Sequence, residues 1–345
     1  MYVLSWLRRK CVALAITLVV VTLATFAIMK AAPGNPYATD RKLDPEVERA
    51  IRKRLCLDRP WHVQYWCYVK NMATGEIPSM RYQDKTPGQV IFPSLRDPRT
   101  GAQRILYWEH RTRYDGTAHD VLQIVPNGGI LASLIVGCGA LCFAIAIGVT
   151  AGVLAAKRRN SLVDYCLMGW AMIGITVPNF VIGPLLAYVI GTKLGWFPSS
   201  GWGELRHLVL PIITLGLAYA SYFARFSRGG MLEVLHEDYV RTARAKGVPE
   251  WRVTMRHELK LGLQPVVTFL GPAASGIVVG SIVVETIFQI PGIGRHLVES
   301  ALNRDYTLLM TMTVLLFTLL FVANMVVDLS YQLIDPRTRG KEASP

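Results

Sequence analysis

The sequence predicts an all-α, polytopic membrane protein with six transmembrane helices and an extracytoplasmic insert between the first and second. Three observations carry this expectation. Hydrophobic residues make up 52% of the 345, and mean hydropathy is +0.32, more apolar than a soluble domain of this length requires. The excess falls in six uncharged runs, Cys11 to Met29, Asn127 to Ala156, Tyr165 to Thr192, Leu208 to Ala224, Leu261 to Val284 and Tyr306 to Val327. Each is about as long as the roughly 20 residues a helix needs to cross hydrocarbon. The runs are also apolar on every face, whereas the strands of a membrane barrel alternate apolar and polar residues. Six such helices buried in one soluble domain would be hard to solvate.

Residues 1–30 hold the first run. Arg8, Arg9 and Lys10 precede it and the small residues Ala31 and Ala32 follow, which also resembles a cleaved signal peptide. Its apolar core exceeds the roughly 7 to 15 residues of such a segment, so an uncleaved anchor is expected. Residues 31–125 form the insert. Asp44, Pro45, Glu46 and Glu48 read as a helix start, with a capping carboxylate, proline in the first turn and acids at the positive dipole end; the helix should reach about Leu55. The aromatics Trp61, Tyr65, Trp66 and Tyr68 follow, and either rest at lipid headgroups or pack inside a small cap. A turn-rich region runs from Gly75 to Gly116. Cys56 and Cys67 lie where a disulfide is chemically permitted, although spacing leaves the pairing open. Cys11, Cys138, Cys142 and Cys166 lie in or beside apolar runs, where a thiol behaves as a small hydrophobe.

Residues 126–335 hold the other five spans, and residues 336–345 form a tail. Positive side chains near span ends resist translocation. Alternating faces put Arg8 to Lys10, Lys157 to Arg159, the cluster between Arg225 and Lys260, and Arg337 to Lys341 on one side, leaving only Lys193, Arg206, Arg295 and Arg304 in the short loops opposite. Both termini are therefore expected in the cytoplasm. The net charge of +13 largely serves this topology, and a nucleic-acid partner is not expected. Pro178, Pro184, Pro211, Pro265, Pro272, Gly276 and Gly280 lie within spans, where they permit kinks and close packing.

The segment 229–262 is the largest short-range cytoplasmic loop. Met231 to Lys246 favours helix, with Leu232, Leu235, Tyr239 and Ala243 at spacings that make one apolar stripe. Gly247 supplies a left-handed C-terminal residue and Pro249 restarts a second helix, whose first turn suits Glu250. A helix, a sharp corner and a helix make an elbow suited to a groove on a soluble partner; a loop whose basic residues contact anionic headgroups is the other reading.

Other functions find little support. No metal-ligand spacing accompanies the cysteines, and His207, His236, His257 and His296 are scattered without a nucleophile and base, so no catalytic residue, metal or cofactor is expected. A secondary transporter normally carries ionisable residues inside its spans, whereas Asp164, Glu285 and Asp328 lie at or near span ends. A simple channel has no use for a partner-docking elbow. The chain holds no glycine-rich phosphate loop ending in Gly-Lys-Ser/Thr, since Gly340-Lys341 is followed by Glu342. ATP, if used, must be bound elsewhere.

The run Arg241-Thr242-Ala243-Arg244-Ala245-Lys246-Gly247 resembles the coupling motif of bacterial ABC importer permeases, whose common form is Glu-Ala-Ala, three residues, Gly, then a tail of Ile-x-Leu-Pro. Ala243, Gly247 and Leu259 match, while Arg241-Thr242, His257 and Lys260 depart. Further runs resemble the peptide-permease branch, specifically the B-type permease of oligopeptide importers: Ala32-Pro33-Gly34-Asn35-Pro36, Leu57-Asp58-Arg59-Pro60, Gln64-Tyr65, Val284-Glu285-Thr286-Ile287-Phe288, Pro291-Gly292-Ile293-Gly294, Asn303-Arg304-Asp305-Tyr306 and Asp335-Pro336-Arg337. Only residues near Ser94 to His119 match less clearly.

This resemblance implies the type I ABC importer permease fold in a bacterial inner membrane. It further implies a homologous second permease, two cytoplasmic ATPase subunits and an extracytoplasmic peptide-binding protein as partners. Tyr239, Arg241, Ala243, Ala245, Lys246, Gly247 and Glu250 are the expected coupling residues, with Ala243 fitting the partner's groove. Glu285, Pro291, Gly292 and Gly294 are expected at the extracellular mouth as part of a gate. Oligopeptides are the expected cargo, with dipeptides, nickel chelates or another small solute as alternatives within the same class.

Overall fold

Long apolar runs with no water-facing side leave the backbone only one way to satisfy its polar groups within a single segment, the helix. Every regular element among the described residues (2–31, 56, 58–74, 129–302 and 306–334) of the computed structural model is indeed helical. In chain order these are α1 (Tyr2–Ala31), α2 (Trp61–Thr74), α3 (Gly129–Lys157), α4 (Leu162–Thr176), α5 (Asn179–Leu186), α6 (Arg206–Val234), α7 (Asp238–Ala245), α8 (Glu250–Val253), α9 (Leu259–Gly262), α10 (Gln264–Ile287), α11 (Ile293–Leu302) and α12 (Tyr306–Ile334). A π-helical stretch, Ala187–Lys193, extends α5, and another, Thr254–Glu258, joins α8 to α9. The helix expected from Asp44 to Leu55 and the turn-rich part of the insert lie outside the described residues.

The third apolar run is not one straight span. α4 and the α5 stretch to Lys193 meet at a bend of 107°. Proline disfavours the helical region for the residue before it; Val177 accordingly sits at φ −87°, ψ 120°, and Pro178 at φ −65°, ψ 147°. By length and apolarity α1, α3, α6 and α10 are able to cross a membrane, and the bent pair makes a fifth if joined. Leu309–Met325 within α12 is a shorter apolar stretch, so the count of six is not reached among the described residues.

The chain divides into two compact units. One contains α1, α2, the start of α3, α11 and the first part of α12. Here the Tyr65 hydroxyl and Thr22 Oγ1 share a hydrogen bond of 2.8 Å, and the Tyr65 ring meets Phe26 edge-on at 5.7 Å. Tyr65 thus packs as a core residue, whereas Trp61 and Trp66 are exposed. Cys56 and Cys67 are joined in a disulfide that ties the approach to α2 onto that helix. Cys11, Cys138, Cys142 and Cys166 are free and exposed.

The other unit contains residues 133–290 and the end of α12, with α6 at its centre. α3 presents a ridge of small residues at every fourth position: Val136, Ala140, Ala144, Gly148, Gly152 and Ala156 are all buried. This is the small-residue seam that lets two membrane helices approach closely. A Cβ on Gly148 would collide with the Ala220 carbonyl and lie 2.7 Å from Phe223 Cβ, and one on Gly152 would lie 2.6 Å from Ser227 Cβ. Phe223, Ala220, Ala144, Val266 and Ala273 fill the core beside this crossing. At the start of α4, Asp164 accepts both arms of the Arg228 guanidinium, Nε to Oδ1 at 2.6 Å and Nη2 to Oδ2 at 2.7 Å. The backbone N–H of Asn160 adds a third bond to this buried carboxylate.

Candidate coupling site

α6 runs on past the apolar run into Val234, then breaks at Leu235 to Glu237. The uninterrupted helix expected over Met231 to Lys246 is therefore two helices. The break re-aims the side chains: the elbow's own core is Val234, Val240, Ala243 and Val253, with Val248 packed against it. Tyr239, counted in the expected stripe, faces outward instead.

The corner follows from Gly247, whose φ is +75°. Its N–H donates to the Arg244 carbonyl at 2.9 Å, and the Val248 N–H reaches back to the Ala243 carbonyl at 3.2 Å. This pair of bonds is the Schellman ending of a helix, completed by the apolar contact of Val248 with the Ala243 cluster. Apart from Gly247 and its chain neighbours, no atom of the described residues lies within 4 Å of where a Gly247 Cβ would stand, so glycine is required by backbone conformation and not by space. Pro249 then sits at φ −61° as the N-cap of α8, with Glu250 in the first turn.

Charge locks this corner. Arg244 Nε donates to Glu250 Oε1 at 2.8 Å, and Arg244 Nη2 to Glu258 Oε1 at 2.8 Å. The Arg244 guanidinium holds the Glu250 carboxyl below its ordinary value of 4.5, and the Glu250 carboxylate raises Arg244 in return. Lys157, the last residue of α3, donates Nζ to Thr254 Oγ1 and lies 3.6 Å from Glu258 Oε2. Because the stretch from Thr254 to Glu258 is π-helical, with the Leu259 N–H reaching the Thr254 carbonyl, both of its end residues are buried.

The elbow therefore brings together all seven expected coupling residues, but not on one face. Ala243 is 7% exposed and points into the elbow's core, so it is not presented to a partner's groove. Tyr239, Arg241, Ala245, Lys246, Gly247 and Glu250 are on the outside, joined by Trp251 (64% exposed) and Met255, which the sequence reading passed over. Glu258, at 0% exposure, was also missed. Its only sequence signal is that it is the sole acid between Glu250 and Glu285.

Of the residues expected at the outer mouth, Glu285 is buried near the end of α10, and its carbonyl accepts the Ile290 N–H at 2.9 Å. Gln289, at φ +57°, turns the chain, and Pro291 and Gly292 lead into α11, which includes Gly294.

A family model described as the inner membrane component of binding-protein-dependent transport systems matches residues 148–340. This chain belongs to that family. The N-terminal model of the same transport systems matches residues 3–88 of this permease. Over 97% of its length the permease is 38% identical to the oligopeptide transport system permease protein OppB of Salmonella typhimurium, covering 99% of that protein. It is 34% identical over 95% of its length to the dipeptide transport system permease protein DppB of Bacillus subtilis, covering 95% of it. In fold it is similar to a chain of an inward-facing MetNI methionine ABC transporter, with a TM-score of 0.51 at 17% identity, covering 59% of this chain and 93% of that one. The permease fold is thus the type I ABC importer fold, in a multi-pass membrane protein.

Proposed function

We propose that this permease is one of two membrane subunits lining the path of an ATP-driven importer, and that its cargo is oligopeptide handed over by an extracytoplasmic binding protein. The observation that carries the reading is near-full-length similarity to oligopeptide permeases. A chain of this family without a phosphate loop draws its energy from separate ATPase subunits. The elbow is the part built to receive it: a rigid corner with Tyr239, Trp251 and Met255 exposed among Arg241, Lys246 and Arg252. Aromatic anchors ringed by charge are what a docking face requires. On this reading the elbow and both termini are cytoplasmic, in accord with the clustering of Lys and Arg. Glu285, Pro291, Gly292 and Gly294 stand at the outer mouth as part of a gate. The dipeptide relative supports a second cargo, dipeptides, carried by the same machinery.

Gentle purification from native membranes tests the class. A second permease and ATPase subunits should accompany the chain, and peptide should stimulate ATP hydrolysis in the complex. A chain recovered without ATPases would overturn the reading, and stimulation by no di- or oligopeptide would overturn the cargo.

A further inference from the structure

The two arms of the elbow and the end of α3 meet at one buried carboxylate. Glu258 Oε1 takes Arg244 of α7, the first arm of the elbow, and Glu258 Oε2 faces Lys157 at the end of α3. Glu258 itself belongs to the second arm. Arg244 also grips Glu250 at the start of that arm, and Lys157, whose hydrogen bond goes to Thr254, lies 3.8 Å from Glu250 as well. A carboxylate removed from water is stable only while its cations stay in place. The contact therefore holds both arms and α3 at fixed separation.

We propose that Glu258 is a positioning residue that latches the elbow to α3, so that displacement of the elbow is delivered to a helix with which it shares no neighbouring sequence. Chain continuity already joins the elbow to α6 and α10. The Lys157 contact adds α3, and α3 has no slack further along, because Gly148 and Gly152 lie directly against α6. Close-packed interiors transmit such a shift instead of absorbing it. The latch thus turns a push on the elbow into movement of α3 and α6 together. In the family's coupling motif Glu258 falls on the unspecified position of Ile-x-Leu-Pro, so the motif does not assign it this task. The proposal rests on the permease reading, and its test separates the two.

Spin labels at the exposed positions Arg158 and Arg256 report the separation of the α3 end from the elbow in the purified full-length permease. The distance distribution should be narrow in the parent and broaden in Glu258→Gln and in Lys157→Gln, while Lys157→Arg should restore the narrow distribution. In the complete complex, uptake of radiolabelled tri-alanine per ATP hydrolysed should fall at least about fivefold in both neutral variants, the lower range of measured couplings between sites. The double variant should be no worse than either single one. An unchanged distribution, or additive losses, overturns the latch. So does failure of both neutral variants to assemble, which assigns the cluster to folding alone. Absence of ATP hydrolysis in the parent complex strikes the importer reading and leaves the distance result to decide the latch.

Discussion

α3 is held at two places by opposite means. Along its length it meets α6 through small residues in van der Waals contact, and at its end it meets the elbow through a charged side chain and a buried carboxylate. The first contact tolerates no added atom and carries no charge. The second depends on charge and leaves the neighbouring corner at Gly247 open to space. Rigid, charge-free packing suits the interior of a bilayer, where polar groups are expensive. Ion pairs suit a part that is gripped and moved.

Substitutions at each place should separate these roles. Gly148→Val should have the largest effect, because its side chain would meet the Ala220 carbonyl and Phe223. A loss of more than about 4 kcal/mol, seen as disappearance of folded protein from membranes, is expected. Arg228→Met leaves the buried Asp164 carboxylate without its fork. It should cost about 3 kcal/mol, read as a lowered melting midpoint in detergent, and normal melting would remove the pair from the account of the bundle. Gly247→Val forces a β-branched residue to φ +75°, at about 1–2 kcal/mol. Membrane levels should stay normal while peptide uptake is lost; normal uptake at normal levels would sink the coupling role of the corner.

The smallest effect concerns pH. Arg244 keeps Glu250 ionised below its ordinary 4.5. The pair's contribution is therefore complete above that pH and drains away only as pH falls through the lowered value. Glu250 is 61% exposed, so solvent screening should hold the contribution under about 0.5 kcal/mol. Hydrogen exchange of the α7 amides should be unaffected by Glu250→Gln near neutrality to within that margin. A large change would mean that Glu250, and not Glu258, locks the corner.

The spans were legible because hydropathy survives any detail of packing, and the Gly247 corner because a glycine followed by Pro249 has few other conformations to serve. What escaped depended on backbone or distance. Pro178 was expected to permit a kink, but it sits inside an unbroken apolar run, so a count of apolar residues does not show that the span bends by 107°. The outward Tyr239 and inward Ala243 were misread because the stripe was counted straight through Leu235 to Glu237, where the helix phase is lost. Glu258 was invisible because its partners are 14 residues back at Arg244 and far back on α3, and a motif records spacing but not pairing.

The disulfide between Cys56 and Cys67 leaves four thiols, all exposed. Cys138 and Cys142 stand one helical turn apart on α3, Cys11 lies in α1 and Cys166 in α4. The native chain therefore carries its own set of accessibility probes. Alkylation by a membrane-permeant and by an impermeant maleimide would report, with no residue introduced, which of these four thiols water reaches and from which compartment.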